Sequence, residues 1–426
     1  MSGDKYEWLI GNPPPLLEEH SRAKHAVLRA YLRRYIEVLT SNPTHDRLNL
    51  TLVDGFAGGG LYTYETGLAP GSPIIMLNEI AAMQAEFDLA RRKPFHLNAN
   101  FIFVEKMASS VEFLRNEIAT GPHAKRLDQS AHIINSTFEE QCSTILEKVK
   151  SRGRAHRAIF FLDQYGYNTV SFFSIRRILT ELEHPEIVLT FSVDALINYL
   201  SNDEAFLKGI LPTGLTRDDV LHMLQIKSEQ RGWRWMIQHF LYERIVALTG
   251  APFYTCFYVK SPESHRSYWL LHLSTHPKAR DEMGAQHWEL HNHFVHHGRA
   301  GLRMLGYDST RDNAQPELDF MFQFDEQANT LSQSALLAEL PPLIHAICQK
   351  NGTSISVGEL YRTICNQTPA ISLQMSDVLV ALRQENEVQL LTAEGRPMPR
   401  ATKLDWKDRV QITDQPTFFS FRPPAR

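Results

Sequence analysis

The sequence predicts an α/β fold, with a doubly wound, mainly parallel sheet flanked by helices and a small winged-helix-like domain closing the chain. Three observations predict it. Short apolar runs alternate with helical stretches in the first half, a largely helical region and a strand pair follow, and the end reads as three short helices and a hairpin. With 426 residues, 43% of them hydrophobic, there is material for two or three separate cores.

The elements can be justified in order. After Pro13-Pro14-Pro15, residues 20–40 read as an amphipathic helix. Val27, Leu28, Tyr31, Leu32, Tyr35 and Leu39 recur at helical spacing, with Arg29, Arg33 and Arg34 between them. Leu48 to Val53 is a short buried strand, and Gly71-Ser72-Pro73 opens a helix with proline in its first turn. NFIFVE, from Asn100 to Glu105, is a second buried strand, followed by a helix from Ala108 to Ile118. His132–Asn135, Ala158–Asp163 and Ile187–Ser192 supply three more strands, with helix-like Ser174–Leu182 between the last two. Apolar strands of this type belong to a parallel sheet covered on both faces.

Residues 194–250 turn helical, forming an insertion. Phe253–Lys260 and Ser267–Ser274 read as a strand pair around the turn SPESH. A separate region opens near Leu331, with a helical pattern from Ala335 to Cys348 and a capping-box-like Ser356-Val-Gly-Glu359. A further helix at about Leu373–Glu385 leads into QLL, Gly395-Arg-Pro and RVQIT. The expected domains are thus 16–300 and 331–426, the second a winged helix.

The formal net charge of −4 excludes a uniformly basic coat and leaves room for a local basic face. Cys142, Cys256, Cys348 and Cys365 form no CxxC pair, which argues against a disulfide framework or a cysteine-held metal and fits a reducing interior. Met1–Pro15 lacks the apolar core of a signal peptide, and no stretch approaches the roughly 20 apolar residues that span a bilayer. The expectation is a soluble, cytoplasmic protein without membrane contact.

The chemistry is concentrated behind two strands. DGFAGGG, residues 54–60, follows the first strand; it is either a packing turn or a place where the backbone approaches a ligand. In a doubly wound sheet the ligand lies outside the carboxyl ends of the strands. The next strand ends in Glu105, whose carboxylate can accept two hydrogen bonds from a ribose diol. A dinucleotide fingerprint reads GxGxxG with its acid roughly 20 residues on. Here the loop reads DxFAGxG and the acid stands much farther along, so S-adenosylmethionine fits better than a dinucleotide. A later strand runs into FFLDQYGY. Asp163 or Gln164 there could hold an exocyclic amine, and Tyr165 could stack on a base. The bland alternative is a strand-ending turn with Asp163 as a cap.

Lys24-His25-x-x-Leu28-x-x-Tyr31-Leu32, VDGFAGGG, Gly71-Ser-Pro73, FIFVEK, FFLDQYGY and Ser267-Tyr-Trp-Leu-Leu-His-Leu-Ser-Thr-His-Pro277 occur in one order. Together, from residue 24 to about 290, they resemble the three-Cys-motif partner proteins. That family is similar to class I S-adenosylmethionine-dependent methyltransferases, near those acting on adenine amino groups in nucleic acid. The resemblance implies a Rossmann-like methyltransferase domain with S-adenosylmethionine as cofactor, nucleic acid as target and a three-cysteine radical-S-adenosylmethionine-type protein as partner. It implies that Asp54, Phe56, Ala57, Gly58 and Gly60 form the methionine-side loop, that Glu105 takes the ribose with Lys106 beside it, and that Thr137 and Phe138 flank the adenine. Lys24 and His25 would close the pocket. Asp163, Gln164, Tyr165 and Gly166 match the Asp-Pro-Pro-Tyr/Phe position of amino methyltransferases, but Gln164 and Gly166 depart from it. The rival to an enzyme is therefore a non-catalytic nucleic-acid-binding or partner protein; a nuclease lacks a recognisable carboxylate cluster.

His287, His291, His293, His296 and His297 are dense, yet HWELH has Trp288 where the zincin glutamate would stand, so a polar helix face is expected and no metal. In the tail, Arg396, Arg400, Lys403, Lys407, Arg409, Arg422 and Arg426 outnumber Asp405, Asp408 and Asp414, and Trp406, Phe418, Phe419 and Phe421 interleave with them. Such a wing could touch phosphates or a protein.

Overall fold

A computed structural model gives the fold, and describes residues 6–65, 67–153, 156–229, 233–260, 267–290, 295–297, 301–302, 321–400 and 403–413. Two compact units meet in sequence between Ala279 and Arg280.

The first unit opens with helix α1 (Glu19–Leu39), whose Val27, Leu28, Tyr31, Leu32, Tyr35 and Ile36 are buried on one stripe. Arg29 and Arg33 lie between these positions and reach helix α2 (Ser72–Ala90): each meets Glu79 at 3.1 Å, and Arg33 reaches Glu86 at 2.6 Å, whereas Arg34 pairs with Glu37 of its own helix. Between strand β1 (Arg47–Asp54) and α2 stands a hairpin, β2 (Leu61–Tyr64) and β3 (Gly67–Pro70), which the sequence reading passed over. Then come β4 (His96–Glu105), α3 (Ala108–Thr120), β5 (Ala131–Asn135), α4 (Phe138–Lys150), β6 (Arg157–Leu162), α5 (Phe172–Glu181) and β7 (Pro185–Phe191). The 194–250 region holds four helices, α6 (Val193–Asn198), α7 (Glu204–Ile210), α8 (Arg217–Glu229) and α9 (Trp233–Thr249), before the antiparallel pair β8 (Phe253–Lys260) and β9 (Ser267–Ser274).

Within this unit the strand order is β8-β9-β7-β6-β1-β4-β5. The five strands β7, β6, β1, β4 and β5 are parallel and β9 joins β7 antiparallel, so the sheet is mixed at one side. The chain builds outward from β1 through β4 to β5 and then returns to β6 on the other side of β1. That reversal is a topological switch point, where a crevice opens outside the carboxyl ends. Register brings those ends level: Asp54 pairs with Phe103 on one side and Phe161 on the other, and Glu105 with Asn135. Phe101, Phe103, Phe160 and Leu189 are fully buried, as continuous apolar strands require.

The second unit begins inside helix α10 (Pro277–Glu289). Strands β10 (Val295–His297) and β11 (Met321–Gln323) pair antiparallel. The rest is a winged helix: α11 (Glu326–Asn351), β12 (Ile355–Ser356), α12 (Val357–Ile364), α13 (Ser372–Gln384), β13 (Val388–Leu391) and β14 (Arg409–Ile412), with sheet order β12-β14-β13. The Ser356 hydroxyl accepts from the Glu359 amide at 3.1 Å, as the sequence predicts for that helix start. Arg280 is the largest fully buried side chain; its guanidinium donates to Tyr361 Oη (2.9 Å), Ala370 O (3.0 Å) and Thr368 O. Both terminal nitrogens meet oxygens, which offsets the burial of that cation, while Nε is buried without a hydrogen-bond partner. Among the described residues no helix is long and apolar enough to cross a membrane.

A buried polar knot ties α1 to the sheet. Tyr31 Oη donates to Glu186 Oε2, and His272 Nε2 lies 3.1 Å from both. Tyr31→Phe strands two buried groups without changing the packing volume much. It should cost roughly 1–3 kcal/mol, read as a lowered midpoint in urea at unchanged slope; an unchanged midpoint would show that the knot contributes nothing.

Candidate active site

Three carboxylates reach the crevice from three neighbouring strand ends. Asp54 is buried at the end of β1, with Oδ1 accepting from the Phe56 amide at 3.0 Å and Oδ2 lacking a hydrogen-bond partner. Burial pushes its carboxyl up to about 7, against the weaker pull of the Ser72 hydroxyl and the Phe56 amide. Glu105, at the end of β4, accepts from the Gly58 amide through Oε2 at 3.0 Å and from the Met107 amide through Oε1 at 2.8 Å. Asp163, just past β6, has both oxygens 2.6 Å from Lys24 Nζ. Its surroundings favour the neutral acid, but the Lys24 charge and hydrogen bonds from Lys24 and Thr190 outweigh them and hold the carboxyl below its ordinary value. Asp163 is therefore an ionised, acceptor-only group.

His25 follows Lys24 on α1, and burial followed by the Lys24 charge lowers it to about 4, so it is neutral near pH 7. Its Nδ1 is buried without a hydrogen-bond partner.

The glycine loop is held from both sides by backbone bonds, Gly55 N to Phe161 O at 2.9 Å and Ala57 N to Val104 O at 3.0 Å. Gly58 has φ +57°, which favours glycine. Gly59 is glycine for another reason. A Cβ there would lie 2.2 Å from Cγ of Trp8, whose indole is buried against the loop and donates from Nε1 to Leu61 O at 2.6 Å. The stretch is thus a packing turn at Gly59, while the amide of Gly58 reaches Glu105. Sequence reasoning missed Trp8 because it is remote in sequence and no periodicity marks it. Tyr62 of the unforeseen hairpin completes an aromatic cluster, 5.3 Å from Trp8 and 5.8 Å from His25.

The expected site residues do not all converge. Gln164 is buried, and its Oε1 accepts from the Thr169 and Val170 amides at 2.9 and 3.0 Å, so it shapes its own loop. Tyr165 is 71% exposed. The Gly166 carbonyl accepts from Ser192 N at 3.0 Å. Thr137 is the N-cap of α4 in a complete capping box with Glu140, and Phe138 is buried against Phe160 and the Gly55 position. Both therefore have structural work that accounts for them. Lys106 is exposed; its carbonyl and that of Glu105 accept from Asn135 Nδ2 at 2.9 and 3.0 Å. Phe56 is half-buried and Ala57 buried.

In the second unit His287 is buried, its ring 6.1 Å from that of Phe324, and is not part of an exposed polar face. His291 and His293 lie outside the described residues. On the wing, Arg396, Arg400, Lys403 and Lys407 are exposed. Arg409 instead binds Ser354 Oγ and O at 2.9 and 2.8 Å, and Trp406 packs on Tyr361. Asp405 and Asp408 flank the same turn; Asp414, Phe418, Phe419, Phe421, Arg422 and Arg426 fall outside the described residues. Helix α13 offers little to a phosphate: Asp281 already accepts from Ser372 N and Oγ at 2.7 and 2.6 Å, and its exposed face carries Leu373 and Asp377.

Residues 306–395 match the family model of the GMT-like wHTH domain. The chain matches no curated protein. It is similar to protein LPL1258 from Legionella pneumophila (11% identity, 60% of this chain and 86% of that chain, TM-score 0.35) and to the putative methyltransferase yhhF from Escherichia coli (12%, 64% and 99%, TM-score 0.27). It is also similar to Trm1 from Pyrococcus horikoshii, solved with S-adenosyl-L-methionine (10%, 91% and 91%, TM-score 0.30).

Two outcomes follow from this geometry. Gly59→Ala forces Trp8 off the loop and should cost roughly 1–3 kcal/mol, as overpacked sites do. Adding Trp8→Ala should recover part of that cost, and strictly additive losses in thermal melts would show that the two residues do not meet. Asp54 is an acid whose folded pKa, about 7, lies above the ordinary 3.8, so its protonated form favours the folded state. Its contribution is present at low pH and is lost as pH rises between those values. Asp54→Asn keeps the acceptor for Phe56 and should remove that loss, giving denaturation midpoints less sensitive to pH across this window than those of the parent chain.

Proposed function

We propose that the chain is an S-adenosylmethionine-dependent methyltransferase acting on an exocyclic base amine in nucleic acid. The carrying observation is that the glycine loop, Glu105 and the ion-paired Asp163 stand at the carboxyl ends of the neighbouring strands β1, β4 and β6. The residues fit the cofactor. Asp54 has an orphan buried oxygen, and Glu105 keeps acceptor capacity beyond its two amide bonds. In this reading the backbone of Asp54, Phe56, Ala57, Gly58 and Gly60 holds the methionine end, and Glu105 takes the ribose. His25 and Lys24 close the pocket, while Thr137, Phe138 and Lys106 act through the loops they hold.

The bound cofactor would supply an electrophilic methyl group. Asp163, ionised by Lys24, would accept one N–H of the target amine, so orienting its nitrogen, and would take the proton that the amine gives up on methylation and pass it to solvent. Tyr165 stacks the base; Gln164 and Gly166 set that loop. Catalysis belongs to the first unit, and the winged helix contributes target contact through its exposed wing cations.

A second reading is favoured by Lys24, which engages both Asp163 oxygens. The chain would then be a non-catalytic member of the three-Cys-motif partner group, binding nucleic acid or a radical-S-adenosylmethionine-type protein.

Calorimetry should register S-adenosylmethionine binding that Glu105→Ala weakens about tenfold or more, the scale of a lost charged hydrogen-bond pair. Radiolabel from the methyl group should reach mixed DNA or RNA, and Asp163→Ala should abolish transfer while leaving cofactor affinity within a few-fold. Binding without transfer selects the second reading, and absence of binding defeats the first.

A further inference from the structure

Three large apolar side chains are exposed on segments tied together beside the crevice. Tyr165 is 71% exposed, Tyr199 72% and Leu211 68%. Single exposed apolar residues are ordinary. These three differ because their supports are cross-linked. The Tyr165 loop is fixed internally by Gln164, to β7 by the Ser192 amide, and to α7 by Asn168 Nδ2, which donates to Gly209 O at 2.7 Å. Leu211 directly follows α7, and Lys208 on that helix is exposed. Tyr199 directly follows α6, which Arg234 ties to α9 by bonds to Asp194 (3.0 Å) and Asn198 (2.9 Å). Tyr167, on the Tyr165 loop, has its ring 6.4 Å from that of Phe191 at the end of β7, which leads into α6, and burial, then Tyr199, pushes its hydroxyl above the usual value.

We propose that Tyr199, with Leu211 and Lys208, extends the Tyr165 lip into a platform for unpaired bases flanking the target nucleotide. The inference rests on the nucleic-acid reading above and narrows it to single-stranded substrate. Rings exposed on a pinned framework are already ordered for stacking, so little side-chain entropy is lost on contact. Every unpaired base offers a π-face, whereas a duplex hides its faces in its own stack. Lys208 supplies a cation for the connecting phosphate.

The test is fluorescence anisotropy on the full chain, with labelled single-stranded DNA and RNA and their duplexes. Single strands should bind tighter than duplexes. Tyr199→Ala should weaken them roughly ten- to a hundred-fold, the scale of one lost base stack. Tyr199→Phe, which keeps the ring, should bind as the parent does, and Lys208→Gln should flatten the salt dependence. S-adenosylmethionine affinity, measured on the same variants by calorimetry, should not move. Equal affinity for duplex, or an alanine variant binding like the parent, overturns the platform even if methyl transfer occurs. Cofactor binding with no affinity for any oligonucleotide overturns it too and leaves the cofactor site standing.

Discussion

Parallel register places Asp54, Glu105 and Asp163 at one edge of the sheet, and three carboxylates brought together repel one another and lose hydration. Much of the local structure answers that repulsion. Asp163 takes Lys24 from α1, so the helix must lie where its ammonium reaches both oxygens. Glu105 takes the Gly58 and Met107 amides, which fixes the glycine turn on one side and the entry to α3 on the other. Asp54 has one amide and an unmet oxygen, and it responds by holding its proton to higher pH. The arginines at 29 and 33 then keep α1 against α2, which preserves the Lys24 contact at a distance from the crevice.

The parallel core was legible because its strands are apolar along their length, a pattern that only double-sided burial produces. Leu48–Val53 and Ala158–Asp163 match the observed strands to within one residue at each end, and Lys24 meets Asp163 while Glu105 holds the Gly58 amide. The winged helix was legible for a different reason, since Ser356 and Glu359 announce a helix start locally, although the compact unit that holds it begins at Arg280 and not near Leu331. What was hidden depends on contacts between distant residues. The β2–β3 hairpin has four-residue strands with little alternation to display. Trp8 meets Gly59 across fifty-odd residues of chain. Gln164, read from its motif position as a partner for an amine, turns inward because two amides of its own loop need an acceptor. The capping role of Thr137 depends on Glu140, three residues on, whose spacing completes a capping box.

Gln164 also explains how the departure from Asp-Pro-Pro-Tyr/Phe can be accommodated. Prolines stiffen a loop by fixing φ. Here stiffness comes from a buried amide accepting two backbone N–H groups, with Ser192 and Asn168 adding outside ties. The glycine at 166 leaves its carbonyl for β7, and the aromatic that presents itself is Tyr165, one residue earlier than in the amino-methyltransferase pattern. In the proposed reading the motif's order changes while the two features amine chemistry would use, the acceptor Asp163 and the exposed Tyr165 ring, stay adjacent in sequence on one tied loop.

The charge of the crevice favours one class of proposed cofactor over another. Lys24 is the cation paired there and His25 is neutral near pH 7, so the three acids retain a negative excess even with Asp54 partly protonated. A pyrophosphate would enter against that field and would find the Gly58 amide already bonded to Glu105. A sulfonium, one net positive charge beside a zwitterionic amino-acid end, would meet the opposite situation, since it relieves carboxylate repulsion that the protein alone leaves incompletely answered. Lys24 then has a double consequence. It lowers the negative excess only enough to keep Asp163 ionised, and it stands at the oxygens an incoming amine must share. Sharing is possible because a carboxylate offers about four lone-pair directions and one ammonium does not exhaust them.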